Sequence, residues 1–134
     1  MKLNLRFLFL AIVQSTFLLA SLSQGATAIT PKDAAAAVAA GTAILVDVRE
    51  QAELQETGKA RPAKWLATSV IQAQGPLYQN AVRTWSKTTT VIFYCRSGNR
   101  SGKAADHFKS LGFTTLNAGS FQAWKDAGLP VDPP

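Results

Sequence analysis

The chain has 134 residues, of which 47% are hydrophobic, with a formal net charge of +6 and a single cysteine. This length and hydrophobic content fit one globular domain and exclude a chain of several full-sized domains. The basic residues are mostly scattered rather than set in stripes with interleaved aromatics, which argues against a nucleic-acid partner. A lone cysteine also excludes an internal disulfide.

The first 28 residues have the pattern of a cleaved secretory signal. Lys2 and Arg6 form a short basic start, residues 7–20 are mostly apolar, and Ala26-Thr27-Ala28 supplies the small residues that a signal peptidase needs. The apolar run is shorter than the roughly 20 residues that span a bilayer, and no cysteine directly follows it to carry a lipid. We therefore predict export to the periplasm or the exterior, no membrane attachment after cleavage, and a mature domain of residues 29–134.

The mature chain alternates between helix and strand patterns. Thr30-Pro31-Lys32-Asp33 has a capping threonine and a proline at the first helical position, and Gly41 ends the alanine-rich helix that follows. Residues 43–48 form an apolar run with β-branched members, which is typical of a parallel strand buried on both faces. Residues 51–56 are predicted to form a short helix and residues 64–68 a brief strand.

The second half continues this alternation. A helix over residues 76–85 is indicated by apolar residues at helical spacing, namely Leu77, Tyr78, Ala81, Val82 and Trp85. The remaining predicted elements are a strand over residues 88–94, a helix over 101–111, a strand over 113–116 and a helix over 120–127. Such alternation predicts an α/β fold with a central, mainly parallel sheet and helices on both faces.

Cys95 follows the predicted strand 88–94, at the sheet edge where open α/β sheets place their sites. The loop Arg96-Ser97-Gly98-Asn99-Arg100-Ser101 comes next, and Gly98 lets its backbone N–H groups converge on an anion. The helix N-terminus and the two arginines favour the thiolate, so we expect a pKa below the usual value of about 8.5. Together with Lys103, these groups indicate a small anionic substrate. The alternative is a buried cysteine that acts as a small hydrophobe.

Two further charged residues lie at the carboxyl end of the strand predicted over residues 43–48. Asp47 and Arg49 would border the same cleft as Cys95. They either orient the loop or the substrate, or they form a structural ion pair with each other, with Glu50 or with Glu53. Both interpretations stay open at this point.

The remaining candidate side chains are interpreted as structural rather than catalytic. His107, the sole histidine, lies about 9 Å along its helix from the loop, so a surface or core-edge position is expected. One cysteine and one histidine do not complete a metal site, and we expect neither a metal nor a cofactor. Trp65, Trp85 and Trp124 are predicted to lie in the core or at its edge, with Trp124 buried.

Three motifs follow one another along the chain: Leu45-Val46-Asp47-Val48-Arg49-Glu50, the loop from Cys95 to Ser101, and an ending with Gly119, Trp124, Ala127-Gly128 and Pro130-Val131. Together they resemble a single-domain rhodanese, a sulfurtransferase, over essentially the whole mature chain. The resemblance implies that Cys95 takes a sulfane sulfur from a donor such as thiosulfate, becomes a persulfide, and passes the sulfur to cyanide or to a thiol acceptor, including a protein thiol. It further implies a persulfide cradle formed by Arg96, Ser97, Gly98, Asn99, Arg100 and Ser101.

The chain departs from the family's usual pattern at two segments. Gly58-Lys59-Ala60-Arg61-Pro62-Ala63 replaces a common Gly-His-Ile-Pro-Gly-Ala segment, and Ala118-Gly119 stands where a Gly-Gly pair is common. Neither departure touches the cysteine loop.

Two alternative functions are weighed against sulfur transfer. Cysteine phosphatases and some arsenate reductases use a related thiolate loop, but with an arginine six positions after the cysteine. That position is Ser101 here, and Arg100 comes one place early, which favours sulfur over phosphate. The other alternative is a noncatalytic module that carries sulfur or binds a partner, although this chain retains the cysteine.

Overall fold

The computed structural model describes residues 25–134. The predicted signal segment, residues 1–28, lies outside these residues except for its end. Within the described part of the chain, every helix is too short or too polar to cross a membrane.

Helices and strands alternate along the described chain. The helices are α1 (Pro31–Ala39), α2 (Gln51–Thr57), α3 (Thr68–Ala73), α4 (Pro76–Thr84), α5 (Asn99–Ser110) and α6 (Phe121–Asp126). The strands are β1 (Ala43–Asp47), β2 (Lys59–Ala60), β3 (Lys64–Trp65), β4 (Thr90–Cys95), β5 (Thr115–Ser120) and β6 (Val131–Asp132).

The central sheet has the strand order β3-β1-β4-β5, and its neighbouring strands are all parallel. The register places Asp47 of β1 beside Tyr94 of β4, so Cys95 ends its strand at the carboxyl edge of the sheet. A register shift between β4 and β5 falls at Phe93 and Tyr94, one residue before the cysteine. The strands β2 and β6 form a separate antiparallel pair that the sequence analysis did not predict.

Side chains alternate along β1 and β4 and divide the core between the two faces of the sheet. Val46, Phe93 and Cys95 belong to the cluster that packs against α4 and α5. Leu45 and Tyr94 belong to the cluster that packs against α1 and α6. Helices therefore cover both faces of a parallel sheet, and the predicted fold class is confirmed.

The ends of several elements agree closely with their predicted signals. The Thr30 hydroxyl accepts a hydrogen bond of 3.1 Å from the Asp33 N–H and caps α1, as the sequence indicated. Trp124 is 2% exposed, as predicted. Trp85 stacks on Phe108 at the core edge, also as predicted. Trp65 does not lie in the core: it is 36% exposed on the edge strand β3, where its indole N–H donates to the Arg49 carbonyl.

Other boundaries differ from the prediction. The strand predicted over residues 64–68 has only two residues, because the chain turns into α3 at Thr68, a helix that the sequence analysis missed. The residue before α3, Ala67, has no capping side chain, so the local sequence gives no start signal. The Glu50 carboxylate, from a distant part of the chain, instead accepts from the Ser69 N–H at 2.9 Å. The strand after α5 begins at Thr115 rather than Phe113 and runs to Ser120. Leu77, one of the apolar residues whose spacing indicated α4, is 54% exposed, because Tyr78 and Ala81 form the buried side of this helix.

Candidate active site

Cys95 is fully buried at the end of β4, and its sulfur faces polar hydrogen-bond donors. The Gly98 N–H donates to Sγ at 3.0 Å, and the N–H and hydroxyl of Ser101 donate at 3.4 and 3.3 Å. A cysteine that served only as a small hydrophobe would not attract three donors to its sulfur. This geometry instead suits a sulfur that carries negative charge.

The pKa of Cys95 follows from two opposing effects. Burial raises the pKa, but hydrogen bonds from the Ser101 hydroxyl and from the N–H groups of Ser101, Ser97 and Gly98 outweigh it. The pKa of Cys95 therefore lies below its ordinary value, which increases the thiolate fraction at neutral pH. Hydrogen-bond donors, rather than the expected arginine charges, produce most of this lowering.

The loop backbone is shaped by one glycine and by an early helix start. Gly98 has a φ of +91°, and a Cβ at this position would lie 3.3 Å from the Cα of Gly119. A side chain is therefore disfavoured by conformation and by space. Because α5 begins at Asn99 rather than Ser101, the free N–H of Ser101 lies in the first helical turn and points at the sulfur.

The remaining cradle residues differ in their exposure. Arg96, Ser97 and Asn99 are exposed, whereas Ser101 is buried and Arg100 is half-buried. Arg100 does not contribute a free charge, since its two terminal nitrogens each donate to a Glu53 carboxylate oxygen at 2.7 Å. Glu53 lies on α2, so this ion pair joins the cysteine loop to the segment that follows β1.

The Glu53–Arg100 pair makes stability depend on pH. Hydrogen bonding to Arg100 lowers the pKa of Glu53 from 4.5 to about 2. A lowered carboxyl pKa stabilises the fold above the unfolded value, and the contribution is lost as the pH falls from about 4.5 to about 2. We expect Glu53→Gln to lower the free energy of unfolding, measured in urea, by about 1 kcal/mol at pH 7, because solvent screens this partly exposed ion pair. The loss should be smaller at pH 3. An equal cost at both pH values would contradict this role for the pair.

Asp47 and Arg49 form a buried ion pair beneath the loop rather than a free cleft surface. Their side chains are 0% and 3% exposed, and a nitrogen of Arg49 lies 2.7 Å from an oxygen of Asp47. The Tyr94 hydroxyl also donates to Asp47, and Arg49 donates to the Gly58 carbonyl. The Arg49 guanidinium packs 4.2 Å from the centre of the Phe121 ring. Of the two interpretations, the structural ion pair is the one that the geometry supports.

Asn117 on β5 supports the loop and was not singled out by the sequence analysis. Its side chain donates to the Gly98 carbonyl at 3.0 Å and accepts from the Ser101 hydroxyl at 2.8 Å. Its place directly after the strand predicted over residues 113–116, near the carboxyl edge of the sheet, was the available signal. His107 lies at the core edge, as expected, and hydrogen-bonds the Tyr78 hydroxyl at 2.7 Å.

Two cavities flank the cysteine loop. The α3/α5 cavity, of about 300 Å³, includes Arg100, Lys103 and His107 in its lining and no carboxylate. The α2/α6 cavity, of about 260 Å³, has mixed charge, with Arg49, Arg96 and Lys125 set against Glu53 and Glu56. Cys95 points to the face of the sheet on which the α3/α5 cavity lies, since it packs in one cluster with Ala104, which lines that cavity.

Known proteins are similar to this chain in sequence or in fold. The chain is 34% identical over 120 residues to the uncharacterised protein slr1261 of Synechocystis sp., covering 84% of this chain and 60% of that protein. It therefore spans less than two thirds of the length of this relative.

Two solved structures are also similar. The human single-domain sulfurtransferase TSTD1 is 25% identical with a TM-score of 0.61, over 76% of this chain and 97% of that one. A Rhodopseudomonas palustris protein of unknown function, described as a possible tyrosine phosphatase, is 26% identical with a TM-score of 0.63, over 80% and 85% of the two chains. Residues 30–127 match the rhodanese-like domain, and the chain belongs to the rhodanese-like family.

Proposed function

We propose that this protein is a sulfurtransferase that carries sulfur as a persulfide on Cys95. The thiolate attacks the outer sulfur of a donor such as thiosulfate, so that an S–S bond forms to Sγ. The S–S bond of thiosulfate breaks, and sulfite leaves with the electron pair. A cyanide ion or an acceptor thiolate then takes the outer sulfur and releases the Cys95 thiolate.

One observation carries this proposal: the Cys95 sulfur accepts hydrogen bonds from Gly98 and Ser101 at the carboxyl edge of the sheet. These donors stabilise a negative charge on sulfur, both in the attacking thiolate and in the thiolate released when an acceptor takes the sulfur. Because Cys95 is buried, the donor can reach the sulfur only when residues around it move.

The α3/α5 cavity is the better entrance for an anionic donor. It lies on the face of the sheet to which Cys95 points, and its lining contains Lys103 and the Arg100 that Glu53 neutralises, but no carboxylate. The α2/α6 cavity places Glu53 and Glu56 beside its cations, which disfavours a dianion.

Lys103→Ala is expected to raise the KM for thiosulfate about fivefold with little change in kcat, since one exposed charge contributes about 1 kcal/mol to anion binding. Lys125→Ala removes the same charge from the α2/α6 cavity and is the matched control, with an unchanged KM expected. Steady-state kinetics at low ionic strength measure both values. A larger KM effect at Lys125 would place the donor in the other cavity.

Phosphate chemistry is the competing function, and one structural neighbour is described as a possible tyrosine phosphatase. The residue six positions after the cysteine is Ser101, whose hydroxyl contacts the sulfur, and Arg100 is held by Glu53. Neither side chain is free to bind a tetrahedral phosphate in the way that an arginine at that position would. Hydrolysis of an aryl phosphate, without sulfur uptake from thiosulfate, would favour the phosphatase over our proposal.

A further inference from the structure

We propose that Asn117 is a positioning residue for the Cys95 sulfur, acting through the loop backbone at Gly98. The proposal rests on the proposed function only for its kinetic test. The effect of Asn117 on the ionisation of Cys95 is measured without any sulfur donor, so the two proposals can fail separately.

Three hydrogen bonds fix the Asn117 amide between β5 and the cysteine loop. The side-chain nitrogen donates to the Gly98 carbonyl at 3.0 Å, while Oδ1 accepts from the Gly119 N–H at 3.0 Å and from the Ser101 hydroxyl at 2.8 Å. A carbonyl can only accept and a backbone N–H can only donate, so the amide has one orientation that satisfies both. Oδ1 therefore faces Ser101.

The Ser101 hydroxyl has a single hydrogen and two acceptors within reach. Its oxygen lies 2.8 Å from Asn117 Oδ1 and 3.3 Å from Cys95 Sγ. Next to a neutral thiol, the shorter contact to Asn117 takes the hydrogen. When the thiolate forms, its negative charge draws the hydrogen to sulfur, and Oδ1 keeps its bond from the Gly119 N–H. In the thiolate state Oδ1 and the Ser101 oxygen share no hydrogen, so Asn117 competes with the sulfur for the hydroxyl and supports the thiolate through the loop backbone instead.

The same amide holds the donor N–H groups of the loop in place. Asn117 ties down the carbonyl of Gly98, whose own N–H makes the shortest contact to Sγ, at 3.0 Å. A Cβ at Gly102 would lie only 3.3 Å from the Asn117 nitrogen, so β5 and the first turn of α5 meet closely here. Loss of the amide therefore loosens a backbone donor of the thiolate.

The test compares Asn117→Leu, which has a similar size and no hydrogen bonds, with the exposed Asn80→Leu on α4 as the matched control. We expect Asn117→Leu to raise the pKa of Cys95, which is measured by the ultraviolet absorbance of the thiolate. At a fixed pH below that pKa, the thiolate fraction should fall about fivefold, because one net hydrogen bond to the charged sulfur is lost. The kcat for sulfur transfer falls more than KM rises. A folded Asn117→Leu variant with the wild-type pKa would overturn the proposal.

Asn117→Asp provides a variant of nearly identical shape should the leucine not fold. Its carboxylate retains the hydroxyl hydrogen of Ser101 and repels the thiolate, so the pKa of Cys95 is expected to rise further. The Ser101→Ala background then tests the route: the rise caused by Asn117→Leu should be larger there, because the leucine can no longer free the hydroxyl hydrogen for the sulfur. A smaller rise in the Ser101→Ala background would contradict action through the loop backbone.

Discussion

Replacing Cys95 with serine is expected to abolish sulfur transfer, with a loss on the order of 10³-fold or more, the scale seen when a nucleophile is removed. A serine hydroxyl stays protonated at neutral pH and cannot form the persulfide. Its oxygen can still accept hydrogen bonds from the donors of Gly98 and Ser101, so the loop keeps its partners. Thiocyanate formation from thiosulfate and cyanide measures the rate.

Circular dichroism and urea unfolding provide the control for this substitution. Cys95→Ser should give the wild-type spectrum and only a modest loss of stability, because the buried site remains hydrogen-bonded. Transfer at the wild-type rate would show that the reaction takes place elsewhere. Cys95 is the only cysteine of the chain, so such a result would also exclude a thiol mechanism.

Asp47→Ala is expected to destabilise the fold by about 3–5 kcal/mol, since it leaves the buried Arg49 guanidinium without its partner. The Tyr94 hydroxyl and the Arg49 N–H lose an acceptor at the same time. Because Tyr94 directly precedes Cys95, the network also fixes the end of the strand that carries the sulfur. Urea unfolding monitored by tryptophan fluorescence measures the loss.

The matched control is Asp132→Ala, which removes the carboxylate of two solvent-exposed ion pairs with Lys59 and Arg61. A much smaller loss is expected, because water and salt screen these charges. Should Asp47→Ala fail to fold, Tyr94→Phe provides a milder change. It removes the hydrogen bond that Tyr94 donates to Asp47 and the one it accepts from the Ala60 N–H, and we expect a loss of about 1–3 kcal/mol in the free energy of unfolding. Equal effects of Asp47→Ala and Asp132→Ala would mean that the buried pair has no special role in stability.

The sequence predicted the parts of the fold that depend on local patterns. The apolar runs of β1 and β4, the Thr30 cap and the glycine at position 98 each act over a few neighbouring residues. Their predicted structures are therefore confirmed within one or two positions. The position of Cys95 at the carboxyl edge of a parallel sheet followed directly from these elements.

The contacts that the sequence did not reveal join distant segments. Arg100 pairs with Glu53, 47 positions away, and Ser101 meets Asn117 across 16 positions. Spacing predicted charges around the sulfur but could not show that an acidic residue on α2 would pair with Arg100. The β2–β6 pair likewise depends on tertiary contact, since each strand has only two residues.

The central claim is that Cys95 takes sulfur from a donor and holds it as a persulfide. Intact-protein mass spectrometry after incubation with thiosulfate tests this most directly. The account predicts a gain of one sulfur atom that is located on Cys95, is removed by cyanide, and is absent from Cys95→Ser. An unchanged mass with thiosulfate and with other sulfane-sulfur donors, in a protein whose thiol is shown to be free, would contradict it.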